Sequence, residues 1–508
     1  MSTMRAPGPL RRATASAARV SAPARESMRR VPRAAWMCAL VAVLNAAAWA
    51  ILLPPLQAHD EQAHVYYAQY LAETGKVPKP VAQQAGSPEQ DALENGVHLF
   101  DVVGNGNGRP PWTQAERADL EKALNSGLSR VTPLPGDRGV GSYPPLYYAT
   151  MAVAYRLADS GTLIDRIVAM RLASSLFAGV TALFVFLFLR ELFPRDRWLW
   201  PVGALAVALQ PVFAFISGAV NPDAGLAAAS AGIFYLLARA FRRGLTPKLG
   251  GAIGLTLAAG VLAKITMVAF VPGVGVALLL LAWRARALRP LLYAAVAFAV
   301  PIAIYCILNT TVWGRPLLPG GAGGGVAVGT GSRAPGSLGG LLSYAWQDYL
   351  PRLSFLHDWF SGVNNAKDVW FRTFWGVFGW GDYSFSQRPL DVLFWLSVLT
   401  MAGVLVAAFK GRRTWRAWLP QLAVYSLLVL GLLALLAYVG YGYRLQSGNN
   451  FEQGRYLLPL MAPFAALIAL GVSAAGQRFG RLLGVLVVVG SLGLTVYAHL
   501  LTVARFYA

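Results

Sequence analysis

Long apolar runs alternate with short polar breaks along this chain, and the runs set the scale of its elements. They lie near 34–56, 167–189, 198–218, 223–238, 249–265, 266–283, 291–313, 390–409, 417–440, 456–475 and 482–503. At about 1.5 Å per residue, a helix of about 20 residues crosses the ~30 Å hydrocarbon core of a bilayer. The runs therefore predict an all-α polytopic membrane protein of about eleven transmembrane helices, with 223–238 and 249–265 at the short end. No heptad or solenoid repeat is present.

Residues 144–158 are harder to place. The run is short, opens with Pro144-Pro145, and is interrupted by tyrosines and Arg156. Its pattern suits a helix lying at the membrane interface better than a span.

Composition supports the membrane class. The chain is 56% hydrophobic and 13% charged, with mean hydropathy +0.49. A soluble domain carries about 25% charged residues. The net charge of +21 would suggest nucleic acid in a soluble protein. Here the basic residues form short clusters between apolar runs, which points to topology and anionic lipid instead. Zinc-type cysteine spacing and RNA-binding signatures are missing, so nucleic acid is not expected as a partner. Cys38 and Cys306 sit in apolar runs and read as small buried side chains without a disulfide.

Charge then fixes the expected topology. If 144–158 does not span, the segments 1–33, 190–197, 239–248, 284–289, 410–416 and 476–481 share one side and hold 24 of the 44 Lys and Arg residues. The opposite side receives 57–166, 314–389 and 441–455, and 57–166 alone has nine basic and thirteen acidic residues. Basic loops favour the cytoplasm. The expectation is a basic, disordered cytoplasmic tail at 1–33 and a transmembrane domain over 34–503. The N-terminus would be cytoplasmic and the C-terminus outside. The two large outer loops are then 57–166 and 314–389. The second contains a Gly-rich stretch, 320–340, followed by an aromatic one from Trp359 to Tyr383. That density fits an interfacial belt or the wall of a lipid or acceptor groove.

The polar residues that stand out belong to the outer side. His59-Asp60-Glu61-Gln62-Ala63-His64 follows the first span, and a short helix is expected to begin near Asp60. Asp60 and Glu61 suit either a helix N-terminus or a reactive mouth with paired carboxylates and imidazoles. His59 and His64 are five apart, not the four that a His-Glu-x-x-His zinc helix requires. A lone Asp60–His64 metal pair is weakly specified. Asn221-Pro222-Asp223, Lys264 and Gln453-Gly454-Arg455-Tyr456 fall at outer helix ends. Each has a bland reading, as a cap or a snorkelling cation. Together, carboxylates and cations on one face suggest a site for a phosphate-bearing lipid.

These motifs also carry a resemblance. Asp60-Glu61-x-x-His64 with Leu71-Ala72-x-x-Gly75 and Pro78 resembles the start of the first outer loop in GT-C superfamily glycosyltransferases. Tyr143-Pro144-Pro145-Leu146-Tyr147-Tyr148, Arg171-Leu172-x-Ser174, Asn221-Pro222-Asp223, Ala263-Lys264-Ile265-Thr266, Phe374-Trp375-Gly376-x-Phe378-Gly379-Trp380 and Gln453-Gly454-Arg455-Tyr456-Leu457-x-Pro459 follow in order. Over residues 40–475 the chain is similar to a bacterial family of predicted membrane proteins of unknown function. The resemblance implies a GT-C-like fold in a bacterial inner membrane, with juxtamembrane helices in a long periplasmic first loop. It also implies transfer of a sugar from a polyprenyl-phosphate donor to a glycan, lipid or protein acceptor. Asp60 or Glu61 would be the catalytic base. His64, Tyr147, Asp223, Lys264, Gln453 and Arg455 would bind substrate. The second outer loop has no Asp-x-Asp, only Asp223, so no metal ligand is assigned and divalent-metal use is left open. Two other functions remain: a flippase for lipid-linked glycan, and a non-catalytic partner in polysaccharide assembly. The sequence displays neither the inverted repeats nor the broken helices of many transporters.

Overall fold

The computed structural model describes residues 31–79, 86–105, 113–134, 140–315, 317, 336–412 and 415–507. The expected basic tail, up to residue 30, and most of the Gly-rich stretch lie outside the described residues.

Helix α1 (Arg33–Leu52) leads into the first loop, which holds α2 (Glu61–Thr74), α3 (Pro88–Gly96), α4 (Gln114–Leu124) and α5 (Leu146–Leu157). Next come α6 (Leu163–Leu192), α7 (Leu199–Ala208), α8 (Pro211–Ser217), α9 (Asp223–Arg243), α10 (Pro247–Ala263), α11 (Val271–Ala285) and α12 (Arg289–Thr311). The second loop carries α13 (Leu338–Tyr349), α14 (Arg372–Gly376) and a short hairpin of β1 (Val377–Phe378) and β2 (Tyr383–Ser384). In that hairpin Val377 pairs with Ser384 and Phe378 with Tyr383. The chain continues through α15 (Gln387–Lys410), α16 (Trp415–Ser447), α17 (Met461–Ser473) and α18 (Gly476–Phe506).

Among the described residues, nine helices are long and apolar enough to cross a membrane. The pair α7 and α8 forms a tenth apolar unit, bent by 61°. Helix α10 is a shorter apolar helix of 17 residues, roughly 26 Å long, so the count among the described residues is nine or ten against the eleven expected. The apolar surface of α15 is not covered by protein: Val392, Trp395, Leu399 and Leu405 are all exposed. An apolar face of that extent needs lipid. The protein is a multi-pass membrane protein.

The bend between α7 and α8 was not anticipated from the sequence, and its cause is local. Pro211 opens α8 and supplies no N–H, and Gln210 before it is extended. The Gln210 side chain then accepts from the Phe213 N–H and donates to the Phe374 carbonyl. Two further breaks matter more for the site. Lys264 and Gln453 are extended residues, and each is followed by a 3-10 segment, Ile265–Phe270 and Gly454–Leu460. These breaks set the side chains of Lys264 and Arg455 at helix entrances.

Helix α5 does not span. It has 12 residues, buries Tyr147, Tyr148, Met151 and Tyr155, and packs on α2 and α6. With Val65, Tyr67, Leu93, Leu120 and Ile167 these residues form a separate hydrophobic cluster. The first loop is thus a folded unit on the helical bundle. Cys38 is buried, as expected, but Cys306 is only half-buried because α12 leaves most of its surface to lipid.

Close helix contact rests on small residues. A Cβ on Gly254 would lie 2.1 Å from the Ala294 carbonyl oxygen, and one on Gly250 would lie 2.2 Å from that of Pro290. The two glycines, four apart, let α10 and α12 approach backbone to backbone. Gly254→Ala should force the pair apart and lower stability by about 1–3 kcal/mol. Thermal unfolding in detergent reads this as a lower Tm, and an unchanged Tm contradicts the packing account.

Candidate functional site

The site begins where α1 ends. Arg171 of α6 is buried and donates to the carbonyls of Leu53 (2.5 Å) and Pro54 (2.9 Å), capping the end of α1. Its guanidinium also grips Glu61, Nε to Oε1 at 2.7 Å and Nη2 to Oε2 at 2.5 Å. Glu61 accepts a further bond from the Val220 N–H at 3.0 Å, just before α9. Glu61 is 0% exposed. Both of its oxygens are committed, and it joins α1, α2, α6 and the entrance of α9.

Asp60, one residue earlier, takes the opposite course. It is in the left-handed region (φ 61) that Asp tolerates better than most residues, and its side chain makes no capping bond to α2. The expected short helix is present, but the carboxylate turns away from it. Its Oδ2 lies 2.6 Å from Arg455 Nη2, and its side chain is 42% exposed. Two adjacent acidic residues therefore divide, one into the frame and one into the mouth.

The other expected residues gather around this pair. Gln453 Nε2 lies 3.0 Å from His59 Nε2. Lys264 Nζ is 2.6 Å from Asp223 Oδ1. Asp223 receives no capping bond of its own; its N–H donates to Asn221 Oδ1 at 3.0 Å. The Tyr456 ring lies between the cations, 5.5 Å from Lys264 and 5.2 Å from Arg455. Among the described residues, Nε of Arg455 and Oδ2 of Asp223 are buried and have no hydrogen-bond partner. Gly454 is required by contact: a Cβ there would lie 2.1 Å from the Phe374 nitrogen. The second loop closes the other side, where Trp380 Nε1 donates to the Leu56 carbonyl at 3.1 Å and its ring sits 5.0 Å from His59.

Two expected substrate-binding residues lie behind the mouth. Tyr147 is buried; its hydroxyl donates to Ser174 Oγ at 3.0 Å and accepts from the Asn221 N–H at 2.8 Å. His64 is buried, with Nδ1 2.8 Å from the Tyr148 hydroxyl. Both brace the residues that face the opening. The aromatic residues of the second loop also divide. Trp380 lines the mouth, while Phe378 is core and stacks on Trp49 at 5.2 Å. Sequence reasoning named His59 only as an imidazole beside the carboxylates and Trp380 only as part of the aromatic stretch, and it gave Tyr456 and Arg171 no role of their own. Arg171 carried a signal, since an arginine inside an apolar run demands a partner.

Electrostatics follow from the packing. Burial opposes ionisation of Asp60, but the Arg455 guanidinium outweighs it and holds the carboxyl well below the usual carboxylate range. Burial, aided by the Arg455 charge, pushes His59 down to about 4, and burial pushes His64 down to about 3. Near neutral pH the mouth thus holds the ionised Asp60 beside a neutral His59, with a neutral His64 behind it. Among the described residues, no group of three or more His, Cys, Asp or Glu is arranged to hold a metal ion.

Two measurements check this geometry. Arg171→Met would strand the buried Glu61 and should cost about 3–5 kcal/mol, with Arg171→Met/Glu61→Met recovering much of the loss. A single variant as stable as the parent in thermal unfolding would contradict the frame. The histidines give a pH signature. An imidazole held below its usual 6.5 refuses a proton that the unfolded chain accepts, so stability is lost as pH falls from 6.5 toward 3. His64→Gln should make the fall in Tm between pH 7 and pH 4 shallower; an identical slope would contradict the assignment.

No curated protein matches the chain. Among solved structures, it is similar to the oligosaccharyltransferase of Archaeoglobus fulgidus in the apo form, at 16% identity and TM-score 0.47, covering 93% of this chain and 56% of that one. The same enzyme in complex with Zn and sulfate gives 16% identity and TM-score 0.44, covering 92% and 52%. The chain spans about half the length of those structures. Residues 43–464 match the profile of a family described as predicted membrane protein, DUF2142. With most of its length inside that match, the chain belongs to the DUF2142 family of predicted membrane proteins.

Proposed function

We propose that this protein is a membrane glycosyltransferase of the GT-C type. It moves a sugar from a polyprenyl-phosphate carrier to an extracytoplasmic glycan, lipid or protein acceptor. It acts at the outer face of a bacterial inner membrane, with its N-terminus cytoplasmic and its C-terminus periplasmic. One observation carries the reading: a half-exposed carboxylate, Asp60, shares its cation with a mouth that holds a second cation, Lys264.

The chemistry runs through these groups. The acceptor hydroxyl oxygen attacks the anomeric carbon, the bond from that carbon to the phosphate oxygen breaks, and the hydroxyl proton passes to Asp60. Configuration inverts. The departing lipid phosphate gains charge, which Arg455 and Lys264 stabilise. Asp60 is a weak base while Arg455 holds it. An arriving phosphate competes for Arg455, using its unpartnered Nε first, and releases Asp60 toward ordinary carboxylate basicity. Base activation is then coupled to donor binding. Glu61 is assigned to the frame, because Arg171 occupies both its oxygens. His64 and Tyr147 are assigned to positioning. Gln453 and Asp223, through its unpartnered Oδ2, are suited to sugar hydroxyls.

A flippase reading has one observation in its favour, the bent pair α7–α8. The polar group at that bend is already committed, since Gln210 serves the Phe213 and Phe374 backbones. Transfer is therefore preferred.

The test is purified protein with a panel of polyprenyl-phosphate sugars, scored for release of free polyprenyl phosphate with and without EDTA. The parent should consume at least one donor, and Asp60→Asn should lower the rate by about 100-fold or more while keeping the parent Tm. Unimpaired transfer by Asp60→Asn would sink the assignment. Lipid movement across proteoliposomes without a glycosidic product would favour the flippase.

A further inference from the structure

A further cation in the loop face, Arg315, meets no opposite charge among the described residues. Arg315 lies four residues beyond the end of α12 and is 3% exposed. Its Nη2 donates to the Gly141 carbonyl in the first loop and the guanidinium lies against the Tyr67 hydroxyl, while among the described residues Nε and Nη1 have no hydrogen-bond partner. Among the described residues Arg315 has no carboxylate partner. Two neighbours in sequence share the deficit. Among the described residues Trp313 Nε1 is buried without a partner, and the buried Asn309 amide has only the Tyr305 hydroxyl beside it. The Arg315 backbone N–H donates to the Asn309 carbonyl at 2.7 Å, which folds the chain back over the end of α12.

A buried guanidinium with two open donors is costly unless an anion answers it. Its fork matches the oxygens of a phosphate, and the indole and amide N–H groups add donors without charge. We propose that Arg315, Trp313 and Asn309 form a second oxyanion site, which takes a phosphate group at the outer end of α12. The site is separate from the mouth. Between them stand Tyr67, which meets the Arg315 guanidinium and donates to the Tyr143 carbonyl, and the Tyr143 ring, 5.7 Å from His64. The phosphate belongs either to a lipid headgroup at the end of a lipid-facing helix or to a free anion. The inference stands on Arg315 and its neighbours and does not require the transfer reading.

The test uses full-length protein in dodecyl maltoside, which carries no phosphate. One arm titrates inorganic phosphate, and the other titrates phosphatidylglycerol against diacylglycerol of the same chains. The readout is the rise in Tm, compared in the parent, Arg455→Gln and Arg315→Gln. A rise that survives in Arg455→Gln and weakens about tenfold or more in apparent affinity in Arg315→Gln supports the site. A response to phosphate identifies a free anion, and a response to phosphatidylglycerol alone identifies the headgroup. If Arg315→Gln is too unstable to purify, Trp313→Phe keeps the ring, removes one donor, and should weaken the same response. An equal response in the parent and the tested variant overturns the proposal, as does none in the parent. So does a response lost in Arg455→Gln, which would assign it to the mouth.

Discussion

The bidentate pair between Arg171 and Glu61 is the constraint on which the loop face depends. It caps the end of α1, fixes the first turn of α2 and reaches the backbone ahead of α9. A buried ion pair is not in itself a large source of stability, because desolvation consumes most of the attraction. Its value here is geometric. With Glu61 locked, the preceding residue lies in a left-handed turn, and its carboxylate meets a cation from a helix nearly four hundred residues later in the chain. Gly454 completes the approach, since no side chain fits between that helix entrance and the Phe374 backbone.

The mouth then has an internal balance that shapes what it can bind. Asp60 with Arg455 and Asp223 with Lys264 are two matched pairs, and the neighbouring imidazoles are neutral near pH 7. A phosphate entering such a balanced site must compete with a carboxylate already present. The exposed carboxylate is the one that can yield; Asp223 is 1% exposed and holds its lysine tightly. In the proposed transferase this competition does chemical service, because the carboxylate released is the one placed to take a proton. The tyrosines behind the mouth, Tyr147 and Tyr148, keep His64 and Asn221 in register and leave the opening to polar groups.

Much of this was legible in the sequence, and the rest was hidden for physical reasons. The apolar runs gave the helices nearly one for one, since lipid demands length and composition. Charge asymmetry argued against 144–158 as a span, and α5 is a helix of 12 residues with one face buried on the first loop. The breaks at Lys264 and Gln453 were marked only by polar residues at helix ends, and the bend at Gln210-Pro211 was masked by apolar neighbours. Asp60 and Glu61 were indistinguishable as letters, because adjacent carboxylates differ only in which long-range cation each meets. Tyr147 and His64 stood out by motif, but their burial is a tertiary fact. Arg315 follows an apolar run, where a flanking cation is ordinary, and only its open donors among the described residues mark it.

The most direct test of the central claim is the affinity of purified protein for polyprenyl phosphate, parent against Asp60→Asn. If Asp60 and the lipid phosphate compete for Arg455, the variant binds the lipid several-fold more tightly than the parent, and Asp60→Asn/Arg455→Gln loses that gain. Equal or weaker binding by Asp60→Asn would contradict the competition and the coupling of base to donor that rests on it.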